Sequence, residues 1–230
     1  MKYKGILLDI DNTLYDYTKT HAKALEVLMA TASQRLNINV PDLEHAYGDA
    51  RKQINSDLYG TASCHNRLLY IQKMLEFLNK NALATSLELY EIYWNSFLDN
   101  MEVYEGVYDF LDGLQGTDVC LLTDLTAHIQ HRKIKKLGLD KYANYVVTSE
   151  EAGKEKPHPY MFLLALQKMH LKPNEVCMIG DSFKKDILGA SQLDIASYWL
   201  NNTDQIEDVK HKNIMEFSQF DDLSKYILQQ

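Results

Sequence analysis

Two aspartates, Asp9 and Asp11, stand one residue apart in ILLDIDNT, directly after a short apolar run. Two more, Asp181 and Asp186, fall in MIGDSFKKD, and Thr123 and Asp124 close the run VCLLTD. Carboxylates drawn together repel one another unless a cation neutralises them. Hard divalent cations take oxygen ligands, and Mg²⁺ is commonly held by one or two carboxylates together with waters and a phosphate oxygen. Mg²⁺ is therefore the expected cofactor of Asp9, Asp11, Asp181 and Asp186. A calcium loop shares the first, third and fifth positions of this pattern, at Asp9, Asp11 and Thr13. It fails where it needs Gly and has Leu14, and where it needs a bidentate Glu and has Thr20.

Positioning such a group requires a rigid edge, and the apolar runs near 4–9, 118–123, 144–148, 175–180 and 195–200 read as strands. They do not alternate, and helical patterns separate the later ones, so a parallel sheet covered on both faces is expected. Ligands bind beyond the carboxyl ends of such strands. There the chain carries Asp9 and Asp11, Thr123 and Asp124, Ser149 and Glu150, and Gly180 with Asp181.

Between the first two runs the apolar spacing becomes helical: Leu25, Leu28, Met29, Ala32 and Leu36; Leu43, Ala46, Tyr47, Ala50 and Ile54; Leu68, Ile71, Leu75 and Leu78. A fourth helix carries Leu89, Ile92, Tyr93 and Phe97, with Thr85 and Glu88 as a capping box. The expected fold class is α/β, a doubly wound parallel sheet with an inserted α-helical domain. Residues 1–16 and 102–230 form the core and 17–101 the insertion, with segments near 14–18 and 99–105 as the hinge.

Composition narrows the partners. Of 230 residues 46% are apolar and the net charge is −8, which disfavours nucleic acid and anionic membranes. The one basic run, HRKIKK (131–136), reads as a solvated helix face. Cys64, Cys120 and Cys177 are scattered without zinc or disulfide spacing, and the opening apolar run is too short for a signal peptide. A cytoplasmic protein is expected, either a monomer or a small homo-oligomer.

DIDNTL resembles the first motif, DxDx[TV], of the haloacid dehalogenase (HAD) superfamily in its phosphatase form. LLTD resembles the second at Thr123, EKPHPYMF the third at Lys156, and GDSFKKD the fourth at Asp181 and Asp186. The interval between the first two motifs matches the members with a helical cap inserted there. The resemblance implies that Asp9 is the nucleophile, forming an aspartyl-phosphate, and that Asp11 is the general acid and base. It also implies a Mg²⁺ site from Asp9, the Asp11 carbonyl, Asp181 and Asp186, and phosphate binding by Thr123, Asp124 and Lys156. Asp124 departs from the Asn usual there and adds a negative charge. Lys156, followed by Pro157, is expected at a helix start, and His158 is read as a helix-start residue. Tyr15, Tyr17 and His21 are candidates for facing the substrate.

Within this family an acid at position 11 argues against dehalogenation, and the fourth motif argues against a sugar-phosphate mutase. A phosphonatase would need a cap lysine, for which Lys19, Lys23, Lys52 and Lys73 remain open. Hydrolysis of a phosphomonoester, a small soluble phosphorylated metabolite, is the expected reaction. The alternative from another class is a non-catalytic module that holds phosphate or Mg²⁺.

Overall fold

The computed structural model describes residues 2–201 and 213–228. The chain divides into two compact units, one of Met1–Asp16 with Glu102–Gln230 and the other of Tyr17–Met101.

The first unit is built on six parallel strands: β1 (Gly5–Leu8), β2 (Asp118–Thr123), β3 (Tyr145–Thr148), β4 (Val176–Gly180), β5 (Ala196–Leu200) and β6 (Ile214–Phe217). Their order is β3-β2-β1-β4-β5-β6. β1 is central and wholly buried, pairing Leu8 with Leu121 on one side and with Ile179 on the other. The strand order reverses between β1 and β4, and a crevice for ligands opens at such a switch point. On one sheet face Leu7, Cys120, Leu122, Val147 and Met178 join Phe162, Ala165 and Met169 in a single buried cluster. At about 25 cal/mol per Å² of buried apolar surface, such a cluster anchors the strand ends firmly.

The five expected strands are present within a residue of their predicted bounds. β6 was not anticipated, because it is an edge strand in which only Phe217 is buried and no run of apolar residues marks it.

The second unit holds four longer helices, α1 (Tyr17–Leu36), α2 (Val40–Asp57), α3 (Arg67–Phe77) and α4 (Ala82–Asp99). Asparagines start three of them: Asn39, Asn66 and Asn81 accept from the backbone N–H groups of Asp42, Leu68 and Leu83. The capping box expected at Thr85 and Glu88 is therefore corrected, since Asn81 caps the helix a turn earlier and Thr85 lies inside it. Leu28, Leu43, Ile71, Leu75, Leu89 and Phe97 are fully buried, as their spacing predicts.

Further helices of the first unit are α5 (Val107–Gly113), α6 (Ala127–Lys136), α7 (Ser149–Ala152), α8 (Pro159–Met169), α9 (Leu188–Ser191) and α10 (Phe220–Leu228). A π-helical turn, Phe183–Ile187, precedes α9. Pro159, rather than Pro157, opens α8, because His158 caps it by accepting from the Tyr160 N–H at 3.2 Å. No helix among the described residues is long and apolar enough to cross a membrane.

Candidate active site

The Asp9 N–H donates to the Ile179 carbonyl at 3.0 Å, which extends the β1–β4 ladder by one residue and fixes the carboxylate at the switch point. Its two oxygens are divided between different partners. Lys156 Nζ donates to Oδ1 at 2.6 Å and the Thr13 hydroxyl donates to Oδ2 at 2.7 Å. Thr13 also receives the Asp181 N–H at 3.0 Å, so a fully buried hydroxyl ties β1's end to β4's. Asn12 makes the intervening turn with a φ of 64°, a conformation asparagine adopts more readily than most residues.

Lys156 is 4% exposed and donates further to Asp186 Oδ1 at 2.7 Å and to the Leu122 carbonyl at 3.0 Å. Asp186 Oδ2 accepts from the Ser182 N–H at 3.0 Å. Ligand atoms of Asp9, Asp181 and Asp186 lie within 4.8 Å of one another. Burial pushes Asp9 well above the usual carboxylate range, against the pull of Lys156, and Asp186 and Asp181 push it further. Asp181 is pushed up to about 7 by burial and by Asp186. Three converging acids thus share one buried ammonium, and an all-oxygen cluster short of positive charge suits a hard divalent cation. Gly180 makes the cluster compact, since a Cβ there would come within 2.4 Å of Asp186.

Asp11 turns to a different set of partners. Lys133 Nζ lies 2.8 Å from both its oxygens, Gln130 Nε2 donates at 3.2 Å and the Tyr15 hydroxyl donates to Oδ1. Burial alone would raise this carboxyl, but the Lys133 charge, with these hydrogen bonds, holds it below the ordinary range. Gln130 also donates to Thr123 Oγ1 at 2.9 Å and to the Asp124 carbonyl at 2.6 Å, which links α6 to the end of β2.

Asp124 corrects one expectation. Its carboxylate does not stand open toward phosphate: Oδ1 accepts from the Lys156 N–H at 3.0 Å and Oδ2 from Lys185 Nζ at 2.8 Å. The extra negative charge is thereby neutralised, and the residue positions Lys156. Leu125 follows with φ 95°, held on both sides by the Ser149 hydroxyl, which accepts from its N–H and donates to its carbonyl.

Sequence reasoning missed Thr13, Gln130, Lys133 and Lys185. Reading HRKIKK as a solvated face is corrected for Lys133, which is fully buried. The signal was its spacing: Gln130 and Lys133 share a helix face with the buried Ile129 and Ile134. Of the three candidates for facing the substrate, Tyr15 is buried against Asp11. Tyr17 and His21 belong to the helical unit, where their rings stack at 5.7 Å and His21 Nδ1 is 2.7 Å from the Tyr93 hydroxyl.

Residues 3–194 match the family described as haloacid dehalogenase-like hydrolase. A ribulose-1,5-bisphosphate 5-phosphatase of Halopiger xanaduensis is 34% identical over 195 residues, 81% of this chain and 80% of its own. A glyceraldehyde 3-phosphate phosphatase of Methanothermobacter thermautotrophicus is 28% identical, over 96% of this chain and 97% of its own. The fold is similar to that of a 2-haloacid dehalogenase from Pseudomonas syringae, with a TM-score of 0.80 at 19% identity over 99% of each chain. It also resembles a HAD phosphatase from Thermococcus onnurineus, with a TM-score of 0.69 at 22% identity over 97% of each. The chain therefore belongs to the haloacid dehalogenase-like hydrolase family, in its phosphatase form.

Proposed function

We propose that the chain hydrolyses a small phosphorylated metabolite through an aspartyl-phosphate on Asp9, and that it needs Mg²⁺. One observation carries this reading: Asp9, at the switch point, is held by Lys156 and Thr13 while Asp181 and Asp186 converge beside it. Lys156 and a bound cation would hold Asp9 ionised, and a carboxylate needs no base to act as a nucleophile. Asp9 attacks phosphorus as the P–O ester bond breaks, and the departing alkoxide takes a proton from Asp11. Water then attacks phosphorus, Asp11 takes its proton, and the bond to Asp9 breaks to release phosphate.

Each supporting residue has a definite task. Lys156 offsets charge on Asp9 and phosphate, while the Thr123 hydroxyl, oriented by Gln130, is the proposed phosphate donor. Mg²⁺, when bound by Asp9, Asp181, Asp186 and the Asp11 carbonyl, supplies charge neutralisation at the transferring phosphoryl group. Lys133 stabilises the ionised Asp11 required for taking water's proton, and the proton so gained is the one Asp11 gives to the alkoxide of the next turnover.

Both curated relatives are named for sugar phosphates, which makes that class the first to test. The helical unit is proposed to act as the cap that selects among them. A cytoplasmic location fits three buried cysteine thiols.

Phosphate release from p-nitrophenyl phosphate and a panel of sugar phosphates, with Mg²⁺, tests the reading. Wild type is expected to turn over and Asp9→Asn to fall by at least about 10³-fold, since the nucleophile itself is removed. Equal release by both proteins across the panel would contradict it and favour the non-catalytic module.

A further inference from the structure

Arg67, at the first position of α3, is 5% exposed. Its hydrogen-bond partners, the His65 carbonyl and the Tyr17 and Tyr93 hydroxyls, are neutral, and it makes no ion pair with a carboxylate among the described residues. Its Nε is buried without an acceptor. The guanidinium lies over the rings of Tyr70 at 5.4 Å and of Tyr93 and Trp94 at 6.0 Å. Ring faces contribute about 0.5–2 kcal/mol to a cation. An uncompensated buried charge costs several kcal/mol. The arrangement lacks an anion.

The surroundings are suited to supply one from outside the chain. The Tyr47 hydroxyl is also buried without a partner, and its ring meets Tyr70 edge-on at 5.9 Å. Arg51, exposed and one turn along α2 from Tyr47, lies close enough to act electrostatically on both Tyr47 and His21. All of these residues belong to the helical unit.

We propose that Arg67 Nε and the Tyr47 hydroxyl, with Arg51 at the rim, form an oxyanion-binding site within the helical unit for a phosphate or carboxylate group. Two sources can supply that group: a second anionic group on the substrate, or a separate free anion. The first rests on the phosphatase reading, and the second does not.

The test is a sulfate titration of the full chain, read on arginine Nε–H signals in ¹H–¹⁵N spectra. Four arginines give four such signals, and the one lost in Arg67→Lys is that of Arg67. Sulfate is expected to shift it saturably. Tyr47→Phe, which deletes an unpartnered hydroxyl and should fold normally, is expected to weaken binding about ten-fold, the worth of one charge-assisted hydrogen bond. An Arg67 signal indifferent to sulfate, or equal affinity in Tyr47→Phe, overturns the site.

The source is read by adding a sugar bisphosphate to Asp9→Asn protein, again on the Arg67 signal. Binding about ten-fold or more tighter than sulfate assigns the site to the substrate's second anionic group, because the sugar then adds contacts that sulfate lacks. Affinity no better than that of sulfate assigns it to a free anion. Hydrolysis is not read in either titration, so failure of the phosphatase reading leaves these outcomes distinguishable.

Discussion

Lys133 Nζ lies 2.8 Å from both carboxylate oxygens of Asp11, and no part of the lysine side chain is exposed. Removing one partner of a buried pair leaves an uncompensated charge. Lys133→Met is therefore expected to lose about 2–4 kcal/mol, the lower figure reflecting an Asp11 side chain that is 25% exposed. It should also lower kcat at least about ten-fold, a part of the roughly 10²–10⁴-fold a general base contributes, with little change in KM. Adding Asp11→Asn removes both charges and should restore stability without restoring activity, as denaturant melts and kinetics will show. A double variant no more stable than Lys133→Met would refute the pairing.

Metal-free protein should show the strain among its acids. Asp181's folded pKa, about 7, lies above its ordinary value of 3.8, so the native state binds more protons and loses stability as pH rises between those values. Mg²⁺ should relieve this. Its effect on the melting temperature is predicted to be larger at pH 7.5 than at pH 5, and EDTA should abolish activity until Mg²⁺ is returned. A stabilisation independent of pH would speak against the three-aspartate site.

Gly180 offers a sharper test of the same cluster. An added Cβ meets the Asp186 carboxylate, Cγ and Cβ at 2.4–2.7 Å, so Gly180→Ala must displace a buried ligand. The cost should be about 1–3 kcal/mol, a typical overpacking penalty. Hydrolysis and Mg²⁺ stabilisation should both be lost while the circular dichroism spectrum remains native. Retention of the Mg²⁺ effect would exclude Asp186 as a ligand.

His21, in the helical unit, is pushed down to about 4 by burial and by the charges of Arg67 and Arg51. The unfolded chain binds its proton more readily, so this stability contribution is full above pH 6.5 and is lost as pH falls toward 4. Wild type should destabilise across that window by more than His21→Gln in parallel thermal melts. Identical slopes would refute a neutral, half-buried His21.

Much of the site was legible because the motif residues sit at strand ends, where a non-alternating apolar run such as ILL stops at its first carboxylate. Asp9, Asp181, Asp186 and Lys156 follow from that logic together with the family resemblance. Lys133 and Gln130 did not, because a basic run hides one buried lysine among solvated neighbours, and only helical phase distinguishes them. Thr13 entered only as a position of the rejected calcium loop, although its hydroxyl links Asp9 to Asp181. Asp124 was read as a phosphate-binding residue with an added negative charge, and that charge is paired with Lys185, far away in sequence. Arg67 carried no signal at all, since nothing local tells a buried arginine from an exposed one at a helix start.

The central claim is that Asp9 becomes phosphorylated. It is tested most directly by rapid acid quench of Asp11→Asn with a sugar phosphate substrate and Mg²⁺, followed by peptide mass spectrometry. Loss of the base should slow breakdown of the intermediate, and one phosphoryl group is predicted on Asp9. Turnover by wild type without covalent phosphate in either protein, or phosphate on another residue, would contradict the account.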